Sequence, residues 1–172
     1  MNALEEFDYV ISGAGSAGCA LAARLSEDPG TSVCLLEAGG PDKSVLIHAP
    51  AAVVAMLPTK INNYGYDTVP QPGLNGRRGY QPRGKVLGGS SSLNAMIYTR
   101  GQREDYDHWA ALGNPGWSFD EVLPYFKRAE NNERGGDAFH GSGGPLNVKD
   151  LPEPNPFSKL FVDAGVAAGF PA

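Results

Sequence analysis

The glycines of the segment GAGSAG, at positions 13, 15 and 18, have the Gly-x-Gly-x-x-Gly spacing of a dinucleotide-binding turn. In such a turn Gly13 adopts backbone angles that a Cβ forbids, Gly15 lets a pyrophosphate approach, and Gly18 lets a helix pack closely on a strand. The free N–H groups at the start of that helix then face the phosphates. The chemistry that this spacing predicts is the binding of a dinucleotide.

The flanking segments supply the elements that such a turn requires. Residues 7–12 (FDYVIS) are aromatic and β-branched and predict a buried strand, residues 19–25 predict a helix, and residues 31–36 predict a second strand that ends at Glu37. This context separates the motif from an ordinary surface turn. Glu37 is placed to accept hydrogen bonds from ribose hydroxyls and would repel a 2′-phosphate, which disfavours NADP. The choice between NAD and FAD stays open.

A second glycine segment, GKVLGGSSSLN at residues 84–94, is the other chemical signal. Its paired glycines allow close backbone approach, and the serines at 90–92 offer hydroxyl and N–H groups. The segment lacks the terminal Lys-Ser/Thr of a P-loop, which argues against an ATPase. Two glycine sites suggest an extended ligand with its pyrophosphate on the first and its redox ring near the second. Arg83 precedes the segment and is predicted to face an anion, and residues 95–99 (AMIYT) are predicted to continue as an apolar strand or helix that walls the ring.

Composition is that of a globular protein with room for one domain. The 172 residues are 41% hydrophobic and 19% charged, and no run is apolar enough to cross a membrane. The net charge of −5 argues against nucleic acid as a partner. The first ten residues carry Glu5, Glu6 and Asp8 and no basic residue, which is unlike a secretory signal, so a cytoplasmic location is predicted, with peripheral membrane association left open. Cys19 and Cys34 are predicted to be buried free thiols.

Periodicity, helix caps and turn residues predict the secondary structure of the remaining segments. The expectations are an extended piece at 45–47, helical turns at 51–57, a strand or strand-like loop at 62–69, a turn-rich loop at 70–83, helices at 103–112 and 118–132, a loop at 133–144, a short strand at 145–148 and an amphipathic helix at 158–168. Ser118 and Glu121 have the spacing of a capping box at the start of the second of these helices, and Pro124 is expected to kink this helix or to shift its start. His48, His108 and His140 are interpreted as structural or surface histidines.

The region from residue 84 to residue 107 resembles the first signature of the glucose-methanol-choline (GMC) oxidoreductases, FAD-dependent enzymes that act mostly on alcohols. The resemblance rests on Gly84, Lys85, Leu87, Gly88, Gly89, Ser90, Ser91, Leu93, Asn94, Tyr98, Gly101 and Asp107. It extends over nearly the whole chain through GAGSAG, Glu37, WSFDEVLPYFKRAE at 117–130 and HGSGGPL at 140–146. Within the family the chain is most similar to bacterial choline-dehydrogenase-like and aliphatic alcohol dehydrogenases.

The resemblance implies an α/β fold, a Rossmann-like FAD-binding domain of GMC type. Residues 1–148 are expected to form an incomplete FAD-binding portion, and residues 149–172 the truncated start of a substrate-domain region. Family members are longer and take their catalytic histidine and its partner from the C-terminal part, so the chain is interpreted as an N-terminal piece. None of its three histidines matches the catalytic position, and no catalytic residue or metal ligand is assigned.

The resemblance also implies the cofactor and the residues that hold it. FAD is expected to be bound non-covalently, because Leu93 occupies the place of the histidine that carries covalent flavin in some members. Asn94, Ala95, Met96 and Ile97 are expected to line the isoalloxazine through their backbone. The complete set of predicted cofactor-binding residues is Gly13, Gly15, Ser16, Ala17, Gly18, Glu37, Ala38, Arg83, Val86, Gly89, Ser90, Asn94, Ala95, Met96 and Ile97.

The expected activity is transfer of hydride from a small alcohol to flavin N5, with oxygen, a quinone or another acceptor taking up the electrons. The chain would supply the FAD-binding half and depend on a C-terminal remainder of the same protein. Two alternatives stay open. One is a non-catalytic flavin-binding module or partner subunit, and the other, which rests on the first glycine motif alone, is an NAD-dependent dehydrogenase.

Overall fold

A computed structural model describes residues 5–171, which fold as two compact units that divide between Ile97 and Tyr98. We call them the N-terminal unit and the C-terminal unit. All the predicted cofactor-binding residues belong to the N-terminal unit. The expected boundary between residues 148 and 149 refers to a substrate domain and stays a prediction.

The N-terminal unit begins with the predicted strand–helix–strand arrangement. Strand β1 is Tyr9–Ser12, helix α1 is Ser16–Leu25 and strand β2 is Val33–Leu36. The two strands pair in parallel, with Tyr9 opposite Val33 and Ser12 opposite Leu36. A parallel pair needs a crossover of about a dozen residues, which α1 and its flanking turns provide. The βαβ context inferred for the glycine motif is therefore confirmed.

The glycines at the β1–α1 turn have the conformations that the motif predicts. Gly13 has a φ of +96°, in the region that side chains with a Cβ rarely adopt. Gly15 is the N-cap residue of α1. A Cβ on Gly18 would lie 1.9 Å from the carbonyl oxygen of Gly13, so only glycine permits this distance between the helix and the turn.

The rest of the N-terminal unit is made of short elements. Helix α2 is Val45–His48, helix α3 is Val53–Met56, and strands β3 (Tyr66–Asp67) and β4 (Tyr80–Gln81) pair antiparallel. Single 3₁₀ turns cover Pro50–Ala52, Pro72–Leu74 and Gly89–Ser92.

Two secondary-structure expectations in this unit are wrong, and so is the predicted burial of the first strand, because only Ile11 of β1 is buried. Residues 45–47 are helical and not extended, because the Ser44 hydroxyl accepts a hydrogen bond from the Leu46 N–H at 3.3 Å and so caps a helix start. Residues 95–99 form neither a strand nor a helix. Met96 has a φ of +56°, which interrupts any regular element in this segment.

The C-terminal unit contains helix α4 (Arg103–Ala111), helix α5 (Phe119–Ala129), strands β5 (Glu130–Asn132) and β6 (Leu146–Val148), and helix α6 (Pro156–Ala167). Capping boxes begin α4 and α5, the second at Ser118 and Glu121 as predicted. The expected continuation of α5 to residue 131 or 132 is wrong, because the chain turns extended at Glu130 and pairs in parallel with β6. Pro124 lies inside α5 without ending it.

An aromatic cluster forms the core of the C-terminal unit. The buried Tyr106 ring lies 5.5 Å from the Trp109 ring, 6.1 Å from that of Phe119 and 5.6 Å from that of Phe126, between centroids. Helix α6 contrasts with this buried cluster, since its Phe157 and Phe161 are 78% and 81% exposed. No helix within residues 5–171 combines the length and hydropathy that crossing a bilayer requires.

Candidate dinucleotide-binding site

The second glycine segment packs directly on the first. The Gly88 N–H donates to the Ala14 carbonyl oxygen at 2.7 Å. A Cβ on Gly89, whose φ is +57°, would lie 2.7 Å from the Cα of Gly15. The two glycine motifs thus form one structure, and glycine at position 89 makes their contact sterically feasible.

The end of β2 holds the same segment from the other side. The Leu87 N–H donates to the Gly40 carbonyl oxygen at 2.9 Å, and Gly40 and Val86 form a parallel bridge. A Cβ on Gly39 would come within 2.2 Å of the Lys85 backbone. Val86 is fully buried in this contact. Residues 85–89 therefore lie against the segments that follow β1 and β2, where a dinucleotide fold binds its ligand.

Glu37 is oriented by two backbone donors. Its Oε2 accepts from the Ala14 N–H at 2.8 Å, and its Oε1 accepts from the Gly39 N–H at 2.7 Å. The carboxylate is half-buried, and each of its oxygens has a second acceptor position. The structure thus places Glu37 beside the glycine turn, and its contact with a ribose stays a prediction.

A cavity of about 610 Å³ opens between these segments. This volume is within the usual range of ligand pockets, roughly 300–1,000 Å³. Nine of the predicted cofactor-binding residues line it together: Gly13, Gly15, Ser16, Ala17, Gly18, Glu37, Arg83, Gly89 and Ser90. Leu21 and Tyr64 line it as well.

Two smaller cavities lie along the segment that follows. One, of about 190 Å³, shares Arg83 and Ser90 with the large cavity and adds Asn94 and Ala95. The other, of about 250 Å³, also contains Asn94 and is lined by Met96. Ala38 and Ile97 are exposed. Twelve of the fifteen predicted residues thus line these three cavities, whereas Ala38, Val86 and Ile97 line none of them.

The large cavity has the electrostatics of an anion site. The N–H groups of Ser16, Ala17 and Gly18 belong to the first turn of α1, and the first intrahelical bond of this helix is made by the Cys19 N–H to the Gly15 carbonyl. These donors and the positive end of the helix dipole favour a negative group. Arg83, an exposed cation, also lines the cavity. The arrangement suits a pyrophosphate.

The histidines lie in unlike surroundings. His48 is exposed and lines the 250 Å³ cavity together with Asp42, and His108 is exposed on α4. The His140 side chain is held in place by a buried partner, because its Nδ1 lies 3.0 Å from Oε1 of Glu130. The sequence analysis missed this partner, since it predicted that Glu130 lies within a helix and not in a strand.

Glu130 is the centre of a buried polar cluster in the C-terminal unit. Burial by itself would raise the pKa of its carboxyl, but hydrogen bonds from the Gly141 N–H, Asn132 and His140, together with the charge of Arg100, lower that pKa from 4.5 to about 2. The Arg100 guanidinium also donates to the Phe139 carbonyl at 2.5 Å. The cluster anchors the 137–141 loop to β5.

Other residues at the site were also missed by the sequence analysis. Tyr64 lines the large cavity, Gly39 packs on Lys85, and Asn63 is buried beside Arg83. The glycine pair at 39 and 40, directly after a strand and its acid, is the sequence signal that could have predicted a close backbone approach there. Nothing in the local pattern distinguishes Asn63 from its neighbour Asn62. The two cysteines are free, as expected, but they are half-buried and not buried.

Comparison with known proteins decides the family. A family model described as GMC oxidoreductase matches residues 7–172. The chain belongs to the GMC oxidoreductase family. It is 52% identical over 163 residues to an oxygen-dependent choline dehydrogenase of Sinorhizobium fredii, covering 95% of this chain and 30% of that protein. It is 49% identical over 163 residues to an alcohol dehydrogenase [acceptor] of Pseudomonas putida, covering 94% of this chain and 30% of that protein.

Solved structures of GMC relatives agree with the fold. Pyridoxine 4-oxidase from Mesorbium loti superposes with a TM-score of 0.90 at 42% identity, over 96% of this chain and 33% of that one. An FAD-dependent oxidoreductase from Chaetomium thermophilum gives a TM-score of 0.82 at 33% identity, over 96% of this chain and 30% of that one. The chain thus spans about a third of the length of the proteins that it matches.

Proposed function

We propose that this chain is the FAD-binding part of a GMC enzyme that oxidises alcohols. The observation that carries the proposal is the docking of the second glycine segment on the dinucleotide turn, with the Gly88 N–H bound to the Ala14 carbonyl at 2.7 Å. A dinucleotide turn alone is common to NAD and FAD proteins. The docked segment belongs to the signature that marks this family, and FAD-dependent relatives share the fold.

The residues of the large cavity fit the diphosphate of such a cofactor. No Cβ projects from Gly13 or Gly15, and the space beside each of them is open. The first-turn N–H groups of α1 would bind phosphate oxygens, Arg83 would balance their charge, and Glu37 would accept from the adenosine ribose. Bound flavin would supply the acceptor for a hydride removed from the alcohol carbon. Asn94, Ala95, Met96 and Ile97 would border its ring.

The share of the reaction that we assign to this chain is binding and orientation. The alcohol, the group that takes its proton, and the acceptor that reoxidises the flavin would be served by the part of the relatives' length that this chain does not span. Relatives named as dehydrogenases of choline and of alcohols support an alcohol as substrate. A cytoplasmic location is part of the same proposal.

Purification of the chain, with spectroscopy of what it retains, tests the proposal. We expect visible flavin absorbance in the protein, and release of intact FAD into the supernatant after acid precipitation, because Leu93 offers no nucleophile for a covalent bond. Release of NAD in place of FAD would favour the NAD-dependent alternative. A chain that binds neither nucleotide when each is added would contradict the proposal.

A second measurement separates the enzyme part from a non-catalytic module. Anaerobic addition of alcohols to the flavin-loaded chain should leave its absorbance unchanged, because no histidine of the chain matches the family's catalytic position. The same titration of a longer polypeptide that contains the chain should bleach the flavin. Failure of the longer protein to bleach with any alcohol would support the non-catalytic module.

A further inference from the structure

Asn63 is a buried amide whose side chain reaches several separate backbone segments. Asn63 is only 3% exposed. The Nδ2 group lies 3.1 Å from the Leu57 carbonyl oxygen, 2.9 Å from that of Thr59, and 2.8 Å from the Tyr80 hydroxyl. The Oδ1 atom accepts from the Gly65 N–H at 3.0 Å and from the Arg83 N–H at 2.9 Å. The amide therefore links α3, the following turn, β4 and the approach to residue 84.

The contact with Arg83 is reinforced by the neighbouring backbone. The Tyr64 N–H donates to the Arg83 carbonyl at 2.9 Å, and the Lys85 N–H donates to the Asn62 carbonyl at 2.7 Å. These bonds flank the isolated antiparallel bridge between Asn63 and Gly84. The backbone from residue 83 to residue 85 is thus held along residues 62–64, with the Asn63 side chain bonded to the first of its N–H groups.

Gly84 is also held by later residues of the second glycine segment. The Gly84 N–H donates to the Ser90 hydroxyl at 3.1 Å, and a Cβ on Gly84 would lie 2.2 Å from the Gly89 carbonyl oxygen. Arg83 and Gly84 border both the 610 Å³ cavity and the 190 Å³ cavity. The first of these cavities is also lined by the glycine turn, and the second by Asn94.

We propose that Asn63 is a positioning residue for the pyrophosphate of the dinucleotide, acting through Arg83. This inference rests on the proposed function. The Arg83 Nη1 donates to its neighbour's carbonyl, that of Pro82, at 2.6 Å, which leaves further guanidinium N–H groups for an anion. Because the hydrogen bond to Asn63 fixes the Arg83 backbone, the Arg83 side chain extends from a fixed position beside the cavity. A preorganised cation loses less freedom on binding a phosphate than a mobile one.

The test compares ligands that differ in their phosphates. Adenosine diphosphate carries the adenosine and the pyrophosphate, whereas adenosine lacks the charge that Arg83 would meet. For Asn63→Ala we expect the affinity for adenosine diphosphate to fall about tenfold to hundredfold, as when the charged hydrogen bond from the Arg83 guanidinium to a phosphate is lost, and the affinity for adenosine to stay within about twofold. Calorimetry on the whole chain measures both constants, and retained adenosine binding shows that the cavity is folded.

Tyr80→Phe is the matched control. It removes one acceptor of the Asn63 Nδ2 group and a hydroxyl that donates to the Leu57 carbonyl, while the Arg83 N–H still donates to Asn63 Oδ1. We expect the ratio of the two affinities to be unchanged by this substitution. In an Arg83→Gln background, Asn63→Ala should cost less than about threefold in affinity for adenosine diphosphate, because the group that it positions is gone.

A measurement on the unsubstituted chain covers the case in which Asn63→Ala does not fold. By linkage, adenosine diphosphate but not adenosine should slow hydrogen exchange of the Arg83 and Gly65 amides. Equal protection by both ligands, or equal loss of both ligands in a folded Asn63→Ala chain, would overturn the positioning role and leave the proposed function standing. A folded wild-type chain that binds neither FAD nor adenosine diphosphate would overturn the proposed function and this inference together.

Discussion

The two units each contain one buried polar residue with many partners, but they use different chemistry. Asn63 in the N-terminal unit is neutral and bonds mostly to backbone groups. Glu130 in the C-terminal unit is a buried carboxylate that bonds to Arg100 and His140 as well as to the Gly141 N–H. A neutral amide holds its partners at any ordinary pH, whereas a carboxylate holds them only while it is ionised.

The difference extends to the charges around each residue. In the C-terminal unit the cationic Arg100 is paired with Glu130 inside the unit. In the N-terminal unit the first-turn N–H groups of α1 and the exposed Arg83 border a cavity. The C-terminal unit pairs its buried carboxylate with a cation internally, whereas in the N-terminal unit the helix N–H groups and the cation border a cavity. The following substitutions test this contrast.

Glu130→Gln should have the largest effect. It removes the negative partner of Arg100, whose side chain is only 13% exposed, and breaking such a buried pair typically costs about 3–5 kcal/mol. Both tryptophans, Trp109 and Trp117, lie in the C-terminal unit, so tryptophan fluorescence during urea unfolding reports its stability. Glu153→Gln, at an exposed position, is the control. A loss below about 1 kcal/mol would mean that the cluster is not central to this unit.

Gly89→Ala should disrupt the other unit and its binding. The added Cβ would meet the Gly15 Cα at 2.7 Å, and the residue would keep a left-handed φ of +57°. Strain of this kind costs about 1–3 kcal/mol, which corresponds to a loss of roughly tenfold to hundredfold in FAD affinity. Gly40→Ala is the control, because its Cβ meets no atom within 4 Å. Equal effects of the two substitutions would argue against docking of the segments as the basis of binding.

The stability of the C-terminal unit should fall in acid, and this loss of stability should be smaller in Glu130→Gln than in the wild type. The pKa of this carboxyl is depressed in the folded protein, from 4.5 to about 2. The carboxylate therefore stabilises the fold fully above pH 4.5, and its contribution is lost as the pH falls through about 2. Arg100 and His140 are the titratable side chains that face it. Urea midpoints from pH 5 down to pH 2 should decline more steeply for the wild type than for Glu130→Gln, and parallel curves would contradict the assignment.

Lys159→Gln should have the smallest effect. Lys159 and Asp163 form an i, i+4 pair on α6, with an N–O distance of 2.7 Å, and both side chains are largely exposed. Such pairs contribute about 0.3–0.5 kcal/mol and are screened by salt. Urea unfolding at low and high ionic strength measures this contribution. A larger loss that persists at high salt would show that α6 packs more tightly than its exposed phenylalanines indicate.

Local patterns were sufficient to predict the first ligand-binding element. The βαβ unit, Gly13 at positive φ and the cap of α5 follow from residue types within short windows of sequence. The contact of Gly89 with Gly15 also matches the suggestion of two neighbouring glycine sites. Here the chemistry of single residues, such as a missing Cβ or a hydroxyl cap, determines the local geometry.

Features that depend on distant partners were not predictable in this way. Glu130 continues the polar pattern of α5, and only its pairing across β5 and β6 removes it from the helix. Asn63 is one of two adjacent asparagines, and its importance arises from groups at residues 57, 65, 80 and 83. Residues 95–99 have strand-forming side chains, but the positive φ at Met96 prevents a strand.

The hydrogen bond from the Gly88 N–H to the Ala14 carbonyl also bears on the order of folding. It joins positions far apart along the chain, so forming it requires closure of a long loop, whereas β1, α1 and β2 assemble from neighbouring segments. The nucleotide cavity should therefore be completed late, after the βαβ unit. A nucleotide present during refolding would bind only that last state, so it should raise the yield of folded protein and slow its unfolding without speeding closure of the loop.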